Sequence, residues 1–528
     1  MKNIFEKHAL KIIIITNLLY YIPFIFMHPG FMLDDFYIFH LIKTFPKDIF
    51  VKSPEEMFFL FFRPLSFITF RLDYFLWATN FIPMKIMSLV IHLLLIVSLY
   101  FFITKISKLI ELKINCIIIT LLLIIFSIHS DAILWIIWIS NRTELLMLLF
   151  YLLSIFAFLQ YMILSKKRIY LILSTISFIL SLLSKQSGLH IPILFFFLSF
   201  YISKETNIKI KFNKDLFVFF TILIIIMSAF LLVNIKFATT NDNMELFINN
   251  LWKKPFSLIG IVLNVILPDF GNVIYYFFLL NKLLAISLFI GLILGMYLLR
   301  GKIQLTNVLY IVILLIIISF PRIFTAGGTR INSVFLLWII IILYMFFTRI
   351  NNNYSKVLIV FFSIWFIITG IYKANEHILN AKQNILMLKS LQTIEEKNKS
   401  KKILDLSASI MRKYEYYYFK NNDFGEYNNI LSSHFIIYGL NDELTSYIKK
   451  NVGVEIRLFN KQVVVKSKDK NTFFDFDYKV IKSITIEKTI VSENSRGFSE
   501  IIYELPKDYD VSLIKVVYYN GKKWIELN

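Results

Sequence analysis

The chain has 528 residues, of which 57% are hydrophobic and only 17% charged, with a formal charge of +21. A soluble globule of this length would carry about 25% charge, and the mean hydropathy is +0.68, so a soluble enzyme is excluded. The basic excess does not point to nucleic acid, because the lysines and arginines are spread over short loops and a tail and form no single stripe.

In chain order, apolar runs long enough to cross a bilayer as helices fall near 9–27, 82–104, 114–129, 144–164, 169–184, 188–203, 214–236, 283–299, 303–320, 331–348 and 354–372. The first run is too long, and too clearly followed by others, for a cleaved signal peptide. The segment 257–279 is apolar but interrupted by Pro268, Asp269 and Gly271. Such a piece is tolerated at membrane depth only where protein covers its backbone. The sole cysteine, Cys116, lies in a span, so an intrachain disulfide is excluded.

Short-loop charges set the expected orientation. Lys2, Lys7 and Lys11 precede the first span, Lys105, Lys108 and Lys113 follow the second, and Lys166, Lys167 and Arg168 follow the fourth. All fall on the side of the N-terminus, which the positive-inside bias assigns to the cytoplasm. Eleven crossings then place the tail outside. Of the acids before residue 373, only Glu6, Glu111, Glu205 and Asp215 fall on the inner side. Asp34 and Asp35 therefore open a large external loop, 28–81, which reads as two in-plane helices near 34–45 and 64–76. Its aromatics suit the interface, where a ring meets lipid and a polar edge meets water.

After Lys373 the pattern changes. Residues 374–420 are polar and helix-like, and 454–527 alternate apolar and polar as in "KQVVVKS" and "FFDFDYKV", the mark of half-buried strands. Asn520-Gly521 reads as a two-residue hairpin turn. The expected fold is thus an all-α polytopic membrane protein with about eleven transmembrane helices (1–372), followed by a small extracytoplasmic α/β domain (373–528).

Charged residues gather at the outer ends of the spans. They are Asp34 and Asp35 in "LDDFYIFH", His129 and Asp131 in "SIHSDAILW", Arg142 and Glu144 in "SNRTELL", Lys185 in "LLSKQSG", and Arg330 in "TRINSVFLLW". Charge at membrane depth is costly and marks a cavity or a function. Carboxylates serve as a general base or as ligands for a divalent metal, while arginine and lysine hold phosphate. Such a set at the outer leaflet suits transfer of a sugar from a membrane-bound lipid phosphate. Neighbouring helical residues point about 100° apart, so Asp34 and Asp35 cannot both aim at one atom. The bland readings are that Asp34 and Asp131 cap helices, and that Arg142, Lys185 and Arg330 snorkel at span ends. His92 reads as an interior residue of the second span, and Arg63 and Arg71 as residues that position the in-plane helices.

These motifs, with "FRPLSFITFRLDYFLWATNFIPMKIMSLVIHLLLIVSLYFF" (62–102) between the first and second, resemble the integral-membrane glycosyltransferases of the GT-C superfamily. The branch is similar to the protein O-mannosyltransferases and their transmembrane tetratricopeptide-containing relatives. The resemblance covers residues 1–203, extends loosely over 320–348 and hardly touches the tail. It implies Asp34 or Asp35 as the catalytic carboxylate and Asp131 as a second-loop acid. It also implies Arg142, Lys185 and Arg330 toward the lipid phosphate or the site's architecture, with Glu144 and His129 beside them. The implied partners are a polyprenyl-phosphate sugar and a protein, glycan or glycolipid acceptor. No cofactor is certain, and a divalent metal stays open. Two departures stand out: Gln186 replaces a frequent Glu, and no tetratricopeptide repeats follow residue 373. Two other classes share the span number. A transporter or lipid-glycan flippase should show broken helices and a midplane site, often with inverted repeats. A surface-polysaccharide polymerase or ligase should carry its key residues in a large late loop.

Overall fold

The computed structural model describes residues 2–28, 63–78, 80–109, 111–112, 114–162, 166–206, 213–237, 333–350 and 363–372. It also describes single positions, 35, 38, 39 and 42 among them, and strands between 402 and 527. The expected spans 283–299 and 303–320 lie almost wholly outside the described residues, and the segment 257–279, Asp34 and Arg330 lie outside them altogether. The chain divides into two compact units, one of 1–27, 57–73 and 82–376, the other of 28–56, 74–81 and 377–528.

The first unit is helical. The described helices are α1 (Lys2–Met27), α2 (Pro64–Trp77), α3 (Phe81–Leu109), α4 (Cys116–Ile128), α5 (Ser130–Ile137), α6 (Arg142–Gln160), α7 (Arg168–Ser184), α8 (Ile191–Thr206), α9 (Lys214–Phe237) and α10 (Ser333–Ile350), with Tyr74–Trp77 of α2 and Phe81 of α3 belonging to the second unit. A further helix, α11, covers Ser363–Tyr372. Four stretches among the described residues are long and apolar enough to cross a membrane: His8–Met27, Phe81–Lys108, Ile139–Gln160 and Lys214–Leu232. Large apolar side chains stand outward on these helices, Leu19 and Phe217 among them. In water that would be a liability, but against lipid it is the expected outer face. This is a helical membrane protein.

The helix starts follow local chemistry. Asn115 caps α4 by accepting a hydrogen bond from the Ile118 amide at 3.2 Å, and Asn213 does the same for Leu216 at 3.0 Å. Helices α6 and α7 lie together, joined where Ser154 and Ser174 each donate to the other's carbonyl, at 2.8 and 2.9 Å. Such small polar residues let helix backbones approach within a membrane. Phe158 stacks on Phe195 at 4.3 Å and on Phe219 at 5.7 Å, tying α6, α8 and α9 through one aromatic column. Gly370 of α11 has no room for a side chain: a Cβ there would lie 2.5 Å from the Ile128 carbonyl oxygen and 2.6 Å from the Tyr20 hydroxyl. His92 is an interior residue, its ring 5.4 Å from Tyr21 and 6.1 Å from Trp135.

In the second unit, Asp35, Ile38, Phe39 and Ile42 are helical and buried. Their spacing of three and four puts them on one helix face, and Phe39 lies 6.5 Å from the Tyr74 ring. Strands follow: β1 (Lys402–Asp405), β2 (Phe419–Lys420), β3 (Asp423–Phe424), β4 (Ile430–Ser432), β5 (Ile436–Ile437), β6 (Val454–Phe459), β7 (Gln462–Ser467), β8 (Phe474–Asp475), β9 (Glu487–Asn494), β10 (Gly497–Glu504), β11 (Ile514–Tyr519) and β12 (Trp524–Leu527). One sheet has the order β12-β11-β1-β4, with β1 parallel to both β11 and β4. Another, antiparallel, runs β5-β8-β10-β7-β6 with β9 also on β10. β2 and β3 pair by themselves.

One expectation is corrected here. Residues 402–405 lie in a stretch read as helix-like, yet "KILD" is an inner strand, because its two apolar residues are flanked by strands on both sides and the non-local pairing overrides a polar local composition. β11 and β12 pair antiparallel with Tyr519 opposite Trp524, and the expected Asn520-Gly521 turn lies outside the described residues.

Candidate functional site

Helix α2 is amphipathic in an inverted sense. Ser66, Phe70 and Asp73 are its buried residues, spaced four and three apart on one face. Ile68, Leu72 and Leu76 stand outward, and Phe75 is 85% exposed. A polar buried face and an apolar outer face suit a helix whose outside is lipid.

Its buried face meets Arg142, the first residue of α6. The Arg142 guanidinium is fully buried and pairs with Asp73 at 2.5 Å. It donates from Nε to the Ser88 hydroxyl at 3.0 Å and from Nη2 to the Met84 carbonyl at 2.6 Å, and it lies 5.7 Å from the Phe70 ring centre. The planar fork of arginine serves three partners at once, which a lysine's point charge would not. Burial pushes the Asp73 carboxyl up from its ordinary 3.8 to about 6, with the Arg142 charge opposing that rise.

Glu144 lies two residues further along α6, so it points about 200° away from Arg142 and meets different neighbours. One carboxylate oxygen takes the Lys185 ammonium in an ion pair. The other accepts from the Ser333 hydroxyl at 2.8 Å. Glu144 sits in the first turn of α6, where negative charge is favoured, and Lys185 directly follows the last residue of α7, where a cation is favoured. Ser333 is the first residue of α10. One buried carboxylate thus joins the ends of three helices.

The same end of α7 is held to α2. Ser66 donates to the Ser184 carbonyl at 3.1 Å, and Arg63 donates to the Gln186 side-chain oxygen at 3.4 Å. Gly188, in the 3-10 turn that follows, packs so closely that a Cβ would lie 2.6 Å from the Ser181 hydroxyl oxygen. About two turns further along α6, the Trp338 indole donates to the Tyr151 hydroxyl at 2.7 Å, and that hydroxyl lies 3.0 Å from His190 Nε2.

Of the residues singled out in the sequence, Glu144 and Lys185 come together, and Arg142 lies beside them on the same helix but faces Asp73 and Ser88. His129 is buried at the end of α4, its ring 5.2 Å from Phe366 of α11. Asp131 is the second residue of α5. Asp35 is fully buried, in the second unit. No group of three or more His, Cys, Asp or Glu is placed to hold a metal among the described residues.

Asp73, Ser88 and Ser333 were not singled out in the sequence. Asp73 carried a readable signal, a lone acid in the apolar helix "PLSFITFRLDYFLW". The serines carried none. No family model, curated protein or solved structure matches this chain.

Proposed function

We propose that the protein is a membrane glycosyltransferase that moves a sugar, a hexose such as mannose, from a polyprenyl-phosphate donor to a hydroxyl on a protein, glycan or glycolipid at the outer face. The observation that carries this reading is the Glu144 carboxylate, held between Lys185 and Ser333. It draws together "SNRTELL", "LLSKQSG" and "TRINSVFLLW", three of the segments on which the resemblance to GT-C transferases rests. The reading includes eleven crossings, a cytoplasmic N-terminus and an extracytoplasmic α/β domain after residue 372.

In this mechanism Asp34 or Asp35 takes the proton of the acceptor hydroxyl, whose oxygen attacks the anomeric carbon. The bond from that carbon to the phosphate oxygen breaks, the electron pair leaves with the polyprenyl phosphate, and the configuration inverts. Lys185 and Arg330 balance the charge growing on the departing phosphate. Glu144 holds Lys185 in place, and Arg142, whose donors go to Asp73, Ser88 and Met84, positions α2 and α3. Asp131 is the second acid of the catalytic set, and His129 belongs to the residues that bind the lipid phosphate or the acceptor.

The test is mass spectrometry of surface proteins and glycolipids from cells with and without the gene. Loss of one defined hexose from one class of acceptor is the expected result. Identical glycan profiles in both would overturn the reading.

A further inference from the structure

At the far end of α3 and α6 from the Glu144–Lys185 pair, a cleft of about 360 Å³ opens between the two helices. From α3 it is lined by Phe101, Thr104, Lys105 and Lys108, and from α6 by Leu152, Phe156 and Gln160. The α3 residues recur at spacings of three, one and three, and the α6 residues at four and four, so each set is one helix face.

The lining changes character along its length. Phe101, Leu152 and Phe156 form an apolar stretch, and Thr104, Lys105, Lys108 and Gln160 form a polar, cationic end about one to two turns further on. Among the described residues no carboxylate pairs with Lys105 or Lys108. Lys105 is half-buried and Lys108 exposed.

We infer that this cleft binds an anionic glycerophospholipid, its phosphate between Lys105 and Lys108 and the upper part of an acyl chain against Phe101, Leu152 and Phe156. Two unpaired ammonium groups offer up to six N–H donors to a phosphodiester and neutralise its charge. The apolar stretch gives nothing to a soluble anion but matches the chain below a headgroup. The basic end is the one that the loop charges assign to the cytoplasm, where the anionic lipids of the inner leaflet meet basic pockets between helices. This inference concerns the opposite end of the bundle from the proposed transfer site and stands or falls independently of it.

The experiment uses the full chain in detergent, exposed to phosphatidylglycerol or to phosphatidylcholine of the same acyl chains, with retained lipid counted by native mass spectrometry. The unaltered protein should retain phosphatidylglycerol preferentially. Lys105→Gln with Lys108→Gln should lower that retention on the order of tenfold. A control that removes two charges elsewhere, Lys11→Gln with Lys214→Gln, should leave it unchanged.

Equal retention of both lipids by the unaltered protein, unchanged retention in the Lys105/Lys108 variant, or equal loss in the control would each overturn the proposal. So would displacement of phosphatidylglycerol by inorganic phosphate, which would make the site one for a free anion. A second measurement needs no variant. In bilayer discs, acetylation of Lys105 and Lys108 should be slower with phosphatidylglycerol than with phosphatidylcholine, and equal rates would contradict the site.

Discussion

The two ends of α6 treat charge in opposite ways. At its start Asp73, Arg142, Glu144 and Lys185 are buried and matched cation to acid. Near its last residue, about 27 Å along the axis, Lys105 and Lys108 reach the surface and pair with no acid among the described residues. A membrane helix bundle tolerates charge either by cancelling it inside or by letting it reach a polar boundary. The first kind is costly to break and builds a site; the second is cheap to alter and left over to meet a ligand.

The largest effect should come from breaking the internal pairing. Lys185→Met leaves the Glu144 carboxylate buried without its cation, and thermal unfolding in detergent should show a loss of about 3–5 kcal/mol. Adding Glu144→Leu should recover much of that stability, because two apolar residues leave no orphaned charge. Sugar transfer should stay lost in the double variant. Next comes Arg142→Lys, which keeps the charge but abandons either Ser88 or the Met84 carbonyl, at a cost of roughly 2–3 kcal/mol in the same measurement.

A smaller effect separates the acid of α2 from its neighbours by pH. Asp73 titrates near 6 in the folded protein against an ordinary 3.8. Between those values the folded state holds a proton that the unfolded chain has released, so stability falls as pH rises through the window and levels off above it. Unfolding followed from pH 4 to pH 7 should show a decline on the order of 2 kcal/mol that Asp73→Asn abolishes. The smallest effect belongs to the other end: Lys105→Gln with Lys108→Gln should change stability by no more than about 0.5 kcal/mol.

How much of this was readable in the sequence follows from the range of the interactions. Spans such as 82–104 and 214–236 match α3 and α9 within a few residues, because an apolar run of that length has one stable solution in lipid. The helix expected at 64–76 matches the extent of α2 for the same local reason. Glu144 and Lys185 stood out individually as charges among apolar residues, but their pairing across 41 positions is a tertiary fact with no local trace. Asp73 was overlooked in favour of Arg63 and Arg71, since an arginine in an interfacial helix attracts notice and a single acid reads as solvated. The strand "KILD" was hidden by its charged ends, which suit a helix as well as a strand while its partners lie more than twenty residues away.

Transfer itself is the most direct test of the central claim. Membranes containing the protein, or its Asp34→Asn or Asp35→Asn variant, would be given a polyprenyl phosphate bearing a labelled hexose, and label reaching acceptors would be counted. The account predicts transfer by the unaltered protein and at least a hundredfold loss in one of the two variants. Full activity in both folded variants would contradict it.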